Sequence, residues 1–330
     1  MTAPDRELHP DTWDVLRSTA LATSLVTGEV LAELGRVHPE IVALSADLAI
    51  PTRIGEFGAV HPERFFDVGI AEKNMVSIAA GLATCGKIPY CSTYASFLAL
   101  LCCEQIRTDV AYPRLNVRLI GTHAGIAMGF YGTSHHATED LAVVRAMANM
   151  TVVAPCDAGS LRWLLEESVA YDGPIYFRLS RGRDPDVYAE RPAGFRIGAA
   201  ETLRSGGDVV ILATGTVVRP TLDAATVLAA EGVDATVIDA HTVKPLDVER
   251  IVAAASATGA VLTVEEHNVL GGLGGAVAET LLEQGVACRF RRHGLRDEYS
   301  VIGPPLQLYE HYRLDAAGIA GEVRCLLGSR

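Results

Sequence analysis

Residues 65–75, FFDVGIAEKNM, join a short strand-like apolar run to the start of a helix. Phe65, Phe66 and Val68 are predicted to be buried, because strands of a parallel α/β sheet are covered on both faces. Gly69 then lets the chain turn from the strand into the helix. Strands of such sheets end at the crevice where ligands bind. The stretch therefore predicts an α/β fold whose ligand-binding edge lies next to this junction.

The junction also places an acid at that edge. Glu72 falls in the first turn of the predicted helix, residues 70–83, where its carboxylate would face a ligand. A first-turn acid also complements the positive end of the helix dipole, and such acids are common. The residues of this stretch alone leave both interpretations open.

Two series of strands and helices predict two consecutive α/β domains with mainly parallel sheets. In the first series, apolar strands at 41–45, 117–120, 152–154 and 175–179 alternate with helices such as 28–37 and 71–83. In the second, strands at 209–213, 234–239 and 260–264 flank a helix at 220–231. The predicted boundaries are an extension at 1–22, a first domain at 23–185, a linker at 186–200 and a second domain at 201–330.

The composition indicates a large core and an acidic surface. Of the 330 residues 49% are hydrophobic, and the net charge is −12, which repels nucleic-acid phosphates. The chain shows neither the basic and apolar regions of a signal peptide nor an apolar run of the ~20 residues that span a bilayer. We therefore expect a cytoplasmic protein with no nucleic-acid or membrane partner.

Cysteines and histidines show no metal-binding pattern. The seven cysteines form no CxxC pair and are interpreted as small buried hydrophobes. The ten histidines form no HExxH arrangement. No metal site is expected within this chain.

Two further stretches carry aromatic and histidine side chains. Residues 89–100, PYCSTYASFLAL, hold Tyr94 and Phe97, whose spacing predicts two rings on one helix face. Residues 123–150 hold His123, His135 and His136 in the order HAGIAMGFYGTSHHATEDLAVVRAMANM. His135 follows a Gly-Thr-Ser run that is typical of a loop, where binding residues concentrate.

Together the three stretches closely resemble the thiamine diphosphate site of transketolases and of 1-deoxy-D-xylulose-5-phosphate synthases. The resemblance implies that Glu72 shares a proton with N1′ of the cofactor pyrimidine and drives the conversion of its 4′-amino group into the imino form. It further implies that Tyr94 and Phe97 stack on the pyrimidine and that Ile70 also contacts the cofactor. Aromatic stacking contributes roughly 0.5–1.5 kcal/mol beyond burial of area.

The same resemblance implies a set of substrate-binding residues. His135 matches the histidine that faces the substrate carbonyl, and His123 matches one near the substrate phosphate. Arg181, in the sequence LSR, matches an arginine that grips this phosphate. Tyr131 and His136 are placed beside the substrate by their neighbourhood. Arg178 is interpreted as a solvated or salt-bridged neighbour.

The resemblance covers residues 23–290 but only the later half of a single-chain transketolase. The GDG motif followed by an Asn, which marks the domain that binds the diphosphate and Mg²⁺, is absent from the sequence. We therefore expect a split enzyme. An N-terminal partner subunit would bind the cofactor's diphosphate and Mg²⁺, and two copies of each subunit would form a heterotetramer around a dimer core.

Three departures from the family concern the substrate. Tyr131 stands in place of an aspartate that contacts a substrate hydroxyl, and a phenol replaces its ionised double acceptor. Leu100 stands in place of a tyrosine or arginine, and Ser24 in place of a phosphate-binding arginine. These changes predict a specialised sugar donor or acceptor that is less phosphorylated than a pentose phosphate.

Other functions fit parts of the same pattern. The beta subunit of a 2-oxo-acid dehydrogenase has a similar length and the same two domains, and a decarboxylating synthase of the deoxyxylulose type shares the aromatic run at 94–97. A third alternative is a regulatory or scaffolding subunit with a relic pocket. The glycines of residues 265–277, EEHNVLGGLGGAV, do not complete a G-x-G-x-x-G fingerprint, so a strand-to-helix junction is predicted there instead of a dinucleotide site.

Overall fold

The computed structural model describes residues 23–181 and 184–328, so the predicted extension at 1–22 lies outside the described residues. The helices are α1 Thr23–Val37, α2 Gly55–Val60, α3 Glu72–Thr84, α4 Cys103–Gln105, α5 Asp140–Arg145, α6 Ala158–Ala170, α7 Val218–Ala230, α8 Val248–Thr258, α9 Leu273–Glu283, α10 Pro305–His311 and α11 Ala316–Leu327. The strands are β1 Ile41–Ser45, β2 Phe65–Asp67, β3 Ile88–Tyr94, β4 Arg118–Thr122, β5 Thr151–Val153, β6 Ile175–Arg178, β7 Glu201–Arg204, β8 Val209–Ala213, β9 Ala235–Asp239, β10 Thr242–Lys244, β11 Ala260–Asn268 and β12 Arg289–Leu295.

The strands form two mainly parallel sheets, which confirms the predicted fold class. The first sheet has the order β10-β5-β6-β4-β3-β1-β2, and only β10 runs antiparallel to its neighbour. The second has the order β12-β11-β8-β9-β7, with β7 antiparallel at one edge. Most strands lie within a few residues of their predicted positions.

Both faces of the first sheet are covered by helices. Val42 and Leu44 of β1 pack in one core cluster with residues of α3. Ile41 and Ala43, which point to the other face, pack in a second cluster with residues of α1 and α6. A parallel strand with two covered faces reads as a continuous apolar run, which is the pattern of IVALS.

The prediction that Phe65, Phe66 and Val68 are buried was wrong. Phe66 is 41% exposed, and Phe65 and Val68 are half-buried. The reason is that β2 lies at the edge of the sheet and pairs only with β1. Gly69 has a φ of +72°, so the predicted turn after this strand is present.

Strand β10 joins the two parts of the chain. It lies after β9 in sequence but pairs with β5 in the first sheet. Nζ of Lys244, its last residue, donates to the carbonyl oxygens of Arg145 (2.9 Å) and Met147 (2.5 Å). Arg145 in turn forms a two-pronged ion pair with Glu279 of α9. The first sheet is therefore completed by a strand from the later part of the chain.

The glycines near residue 272 form the predicted strand-to-helix junction. β11 ends at Asn268 and α9 begins at Leu273. The carboxylate of Glu265 accepts the backbone N–H groups of Leu273 (2.7 Å) and Gly274 (2.9 Å) and so caps the helix. A Cβ on Gly272 would lie 2.0 Å from that carboxylate, which explains the glycine.

Two smaller expectations also meet the structure. The cysteines are not uniformly buried, because Cys85 and Cys325 are exposed. No helix in residues 23–181 or 184–328 combines the length and the apolar character needed to cross a bilayer.

Candidate active site

The carboxyl edge of the first sheet gathers the residues that the sequence singled out. Glu72 follows β2, Tyr94 ends β3, His123 follows β4 and Arg181 follows β6. Because β1, β2, β3, β4 and β6 are parallel, their carboxyl ends all lie at this edge. Such an edge is where open α/β sheets bind ligands.

Glu72 is the first residue of α3 and is only 9% exposed. Its carboxylate forms no hydrogen bond with any residue in the described ranges. Burial, and secondarily the charge of Glu72, raise the pKa of the nearby Cys102 thiol to about 12. The residue is mostly covered, yet its carboxylate oxygens are not fully buried and so are open to a partner. This carboxylate therefore fits a ligand that brings its own polar atom to the helix start.

Four rings pack against one another at the edge. Tyr94 lies 4.4 Å from His123, 5.6 Å from Phe97 and 5.9 Å from His135, measured between ring centroids. His135 meets Phe97 edge-on at 5.1 Å. Tyr131 adds a fifth ring, 4.9 Å from His135. We call Tyr94, Phe97, His123, Tyr131 and His135 the ring cluster.

Tyr94 and Phe97 do not share a helix face, so that prediction was wrong. Tyr94 is the last residue of β3, and Phe97 begins a short π-helix, Phe97–Leu101. The two rings nevertheless lie next to each other, because the chain turns at once from the strand into this helix. Both are half-buried and so form part of a wall that a flat ligand can contact.

Burial keeps the two cluster histidines in the neutral form. Burial lowers the pKa of His123 to about 3, with smaller contributions from Arg181 and His135. His135 is less buried, and burial also lowers its pKa. Its Nδ1 lies 2.9 Å from the hydroxyl of Ser134, whereas Nδ1 of His123 lies 2.9 Å from that of Thr122. Neutral imidazoles can accept as well as donate a proton at physiological pH.

Arg181 lies close enough to the cluster to interact with it electrostatically. Burial lowers its pKa, and the hydroxyl groups of Tyr131 and Tyr94 act in the opposite direction. Burial raises the pKa of the Tyr94 hydroxyl, whereas the charge of Arg181 lowers it and Tyr131 raises it slightly. A guanidinium thus stands beside the ring cluster at the end of β6.

The remaining predicted site residues lie in different surroundings. His136 is buried, with Nε2 3.1 Å from the carbonyl oxygen of Gly129 and Nδ1 beside the hydroxyl of Ser300. Ile70 is 82% exposed and Tyr131 is 58% exposed. Ile70 therefore offers an apolar surface at the mouth of the edge, while His136 already has partners at both ring nitrogens.

A buried ion pair lies behind the site. Of the two interpretations of Arg178, the salt-bridged one is confirmed and the solvated one was wrong, because the residue is only 5% exposed. Its Nε donates to both oxygens of Asp140, at 2.9 and 3.1 Å, and Tyr176 donates its hydroxyl to the same carboxylate. Only the position of Arg178 near the end of an apolar strand hinted at this burial.

Within residues 23–181 and 184–328, no three His, Cys, Asp or Glu side chains come together in a way that could hold a metal ion. Buried hydroxyls that lack a partner in the described structure do occur on and after β3, at Ser92, Thr93 and Ser96.

Family models for two transketolase domains match the chain. The pyrimidine binding domain matches residues 19–185, and the C-terminal domain matches residues 198–319. A putative transketolase C-terminal section from Methanocaldococcus jannaschii is 40% identical over 90% of this chain and 93% of its own length. A 6-deoxy-6-sulfo-D-fructose transketolase subunit from Clostridium sp. is 41% identical over 88% of this chain and 90% of its own length.

A solved structure of a split-gene transketolase, in an inactive beta4 tetramer, is also similar. It is 42% identical and superposes with a TM-score of 0.85 over 94% of this chain and 99% of that one. These relatives are themselves subunits or sections, and the alignments span nearly all of each. The chain therefore belongs to the transketolase family, as the subunit of a split transketolase that carries the pyrimidine-binding and C-terminal domains.

Proposed function

We propose that this chain, paired with a separate diphosphate-binding subunit, transfers a two-carbon ketol unit from a ketose donor to an aldehyde acceptor. Bound thiamine diphosphate would supply the nucleophilic carbon for this chemistry. The observation that carries the proposal is Glu72, a residue only 9% exposed whose carboxylate has no hydrogen-bond partner in the described structure and which lies at the same sheet edge as the ring cluster.

Glu72 would hold a proton shared with N1′ of the pyrimidine. A carboxyl group that lies at the start of a helix, on a residue that is mostly covered, suits that exchange. Tyr94 and Phe97 would form the wall against the pyrimidine and keep water away from it. Ile70, at the mouth of the edge, would contact the cofactor from its exposed side.

His135 and Arg181 would act on the substrate. Nε2 of His135, whose Nδ1 is occupied by Ser134, would exchange a proton with the carbonyl oxygen of the ketose. Arg181 would bind a terminal anionic group, with His123 beside it as a neutral hydrogen-bonding group. Tyr131 would contact a substrate hydroxyl at the exposed rim, and His136 would lie on the substrate side of the same loop.

We further propose that the substrates differ from pentose phosphates. Tyr131 replaces a double acceptor by a phenol, and Leu100 is apolar at a position that is polar or charged in the family. The Clostridium relative is named for a sulfonated rather than a phosphorylated sugar. A competition assay decides this point: an unimpaired preference for xylulose 5-phosphate over sugars without a phosphate would contradict it.

The partner and the metal complete the proposal. Because the chain corresponds to one half of the enzyme, the other subunit would bind Mg²⁺ and the cofactor's diphosphate at the interface. A heterotetramer with two copies of each subunit is the assembly that two-fold symmetric sites would require. Mass measurement of the reconstituted enzyme tests this stoichiometry.

The decisive experiment measures ketol transfer with both subunits, thiamine diphosphate and Mg²⁺ present. Glu72→Gln preserves the shape of the side chain but removes the exchangeable carboxyl proton, so activity is expected to fall by more than about 100-fold. Glu283→Gln, at an exposed position in α9, is the control and should retain activity. Activity of the single chain, or activity indifferent to Glu72→Gln, would contradict the proposal.

A decarboxylating synthase is the second candidate. The aromatic run at residues 94–97, YASF, resembles that of deoxyxylulose-phosphate synthases as much as that of transketolases. Incubation of the reconstituted enzyme with carboxyl-labelled pyruvate separates the two reactions. Release of labelled carbon dioxide at a rate above that of ketol transfer would favour the synthase.

A further inference from the structure

A loop with a closed neck carries two members of the ring cluster. Gly125 and Ala137 pair with each other in both directions, with N–H to O distances of 2.9 and 3.0 Å. The segment between them, residues 125–137, includes Tyr131 and His135. We call this segment the neck loop. The contacts that hold the Gly125–Ala137 pair, which we call the neck, therefore determine the positions of Tyr131 and His135.

Glu266, a residue of β11 in the second sheet, reaches this neck. Its Oε1 accepts the backbone N–H of Ile126 at 2.7 Å, and its Oε2 accepts the hydroxyl of Thr216 at 2.7 Å. The hydroxyl of Tyr309 lies 3.5 Å from that of Thr216, next to the same carboxylate. The side chain is 1% exposed. Glu266 is thus a buried carboxylate that binds the backbone of the loop directly.

The contact with Glu266 also explains why residue 125 is a glycine. A Cβ at this position would lie 2.2 Å from the carboxyl carbon of Glu266, and the φ of +67° also disfavours side chains. The close approach of a carboxylate from the other domain thus requires glycine at the start of the loop.

Arg178 closes the neck from its other end. Its guanidinium donates to the carbonyl oxygen of Ala137 at 3.0 Å and to that of Glu266 at 2.8 Å. One end of the neck is therefore bonded to the carboxylate of Glu266 and the other end is linked to its backbone through Arg178. The loop is fastened to the C-terminal domain at both ends.

We propose that Glu266 is a positioning residue, through which the C-terminal domain fixes the neck loop and so orients His135 and Tyr131 toward the substrate. The proposal rests on the proposed function, since it assumes that these two residues contact a sugar. The C-terminal domain would thereby help to fix the positions of substrate-binding residues that belong to the pyrimidine-binding domain.

The neighbouring Glu265 provides a matched comparison. It lies on the same strand, is also fully buried, and accepts two backbone N–H groups, whereas Glu266 accepts one backbone N–H group and one hydroxyl. Its acceptors serve α9 within the second domain, however, and not the neck loop. Glu265→Ala removes a buried carboxylate and two contacts to backbone N–H groups. Glu266→Ala removes a buried carboxylate and one such contact, but only this variant is expected to release the neck loop.

The experiment compares Glu266→Ala, Glu266→Gln and Glu265→Ala in two measurements. Hydrogen exchange on the full chain should show faster exchange across residues 125–137 in Glu266→Ala and not in Glu265→Ala. In the reconstituted enzyme, Glu266→Ala should lower kcat/KM for the sugar by about 100-fold, as expected for misplaced substrate contacts. The KM for thiamine diphosphate should stay within about twofold, because its proposed contacts lie outside the loop.

Glu266→Gln should recover much of the lost efficiency, since its amide oxygen can still accept from Ile126. Unchanged exchange in the loop, or equal losses of sugar and cofactor affinity in Glu266→Ala and Glu265→Ala, would overturn the proposal. If the wild-type pair lacks ketol transfer altogether, the proposed function fails, while the exchange measurement still decides whether Glu266 holds the loop.

Discussion

Replacing Arg178 with Met is expected to lower the free energy of unfolding by about 4 kcal/mol, the cost typical of breaking a buried ion pair. Arg178 and Asp140 are 5% and 1% exposed. The substitution removes two charge-assisted contacts to Asp140 and two bonds to the carbonyl oxygens of Ala137 and Glu266. Among the described residues, only Tyr176, through its hydroxyl, would then remain hydrogen-bonded to the buried carboxylate. Most of the loss comes from this uncompensated charge.

A double-mutant cycle separates that charge from the packing. Arg178→Met, Asp140→Leu and the double variant are unfolded with guanidinium chloride and compared with the wild type. The double variant carries no buried charge at the pair, so it should lose at least about 2 kcal/mol less than the sum of the single variants. A loss below about 1 kcal/mol in Arg178→Met, or strict additivity in the cycle, would refute this reasoning.

Two further changes test the loop and the second sheet. Gly125→Ala should lower the free energy of unfolding by at least about 2 kcal/mol, because the new Cβ would clash with Glu266 and the backbone has a positive φ. Gly81→Ala, whose Cβ would have no atom near it, should raise the free energy of unfolding by up to about 1 kcal/mol. Equal effects of the two substitutions in thermal melts would contradict this reasoning. Burial raises the pKa of Asp239 to about 7, so the folded state keeps a proton that the unfolded chain loses near pH 4. The free energy of unfolding should therefore fall by roughly 4 kcal/mol from about pH 4 to about pH 7 through this group, and Asp239→Asn should flatten the decline; an unchanged slope in denaturation series would exclude the assignment.

The strand order of the fold depends on information that a single sequence carries only in part. Runs such as IVALS and VVILA predict buried strands correctly, because two covered faces require apolar side chains at every position. Phe66 was misassigned because its run has the same character, although β2 has a neighbour on one side only. Strand β10 was missed altogether, since three residues, TVK, give no periodicity and their partner β5 lies far away in sequence.

The candidate site divides in a similar way. Glu72 could be located because it follows a strand, and parallel strands bring their carboxyl ends together. Tyr94, Phe97 and the histidines were located by the resemblance of their stretches to those of transketolases. The helix face proposed for Tyr94 and Phe97 was wrong, because spacing cannot reveal that a strand continues up to the first ring. Contacts between the domains, such as that of Glu266 with Ile126, leave no local trace in the sequence at all.

The contacts between the domains run in both directions. Strand β10 and Lys244 pass from the later part of the chain into the first sheet, and Glu266 reaches from β11 to the neck of the loop that carries His135. Buried polar contacts of this kind hold one arrangement, because sliding one sheet against the other would leave charged and backbone groups unpaired. The C-terminal domain contributes no side chain to the ring cluster, yet through Glu266 it can determine the position of the loop that carries His135 and Tyr131. Changes at Glu266 should therefore alter substrate kinetics, whereas changes at Glu265 should alter only the stability of the protein.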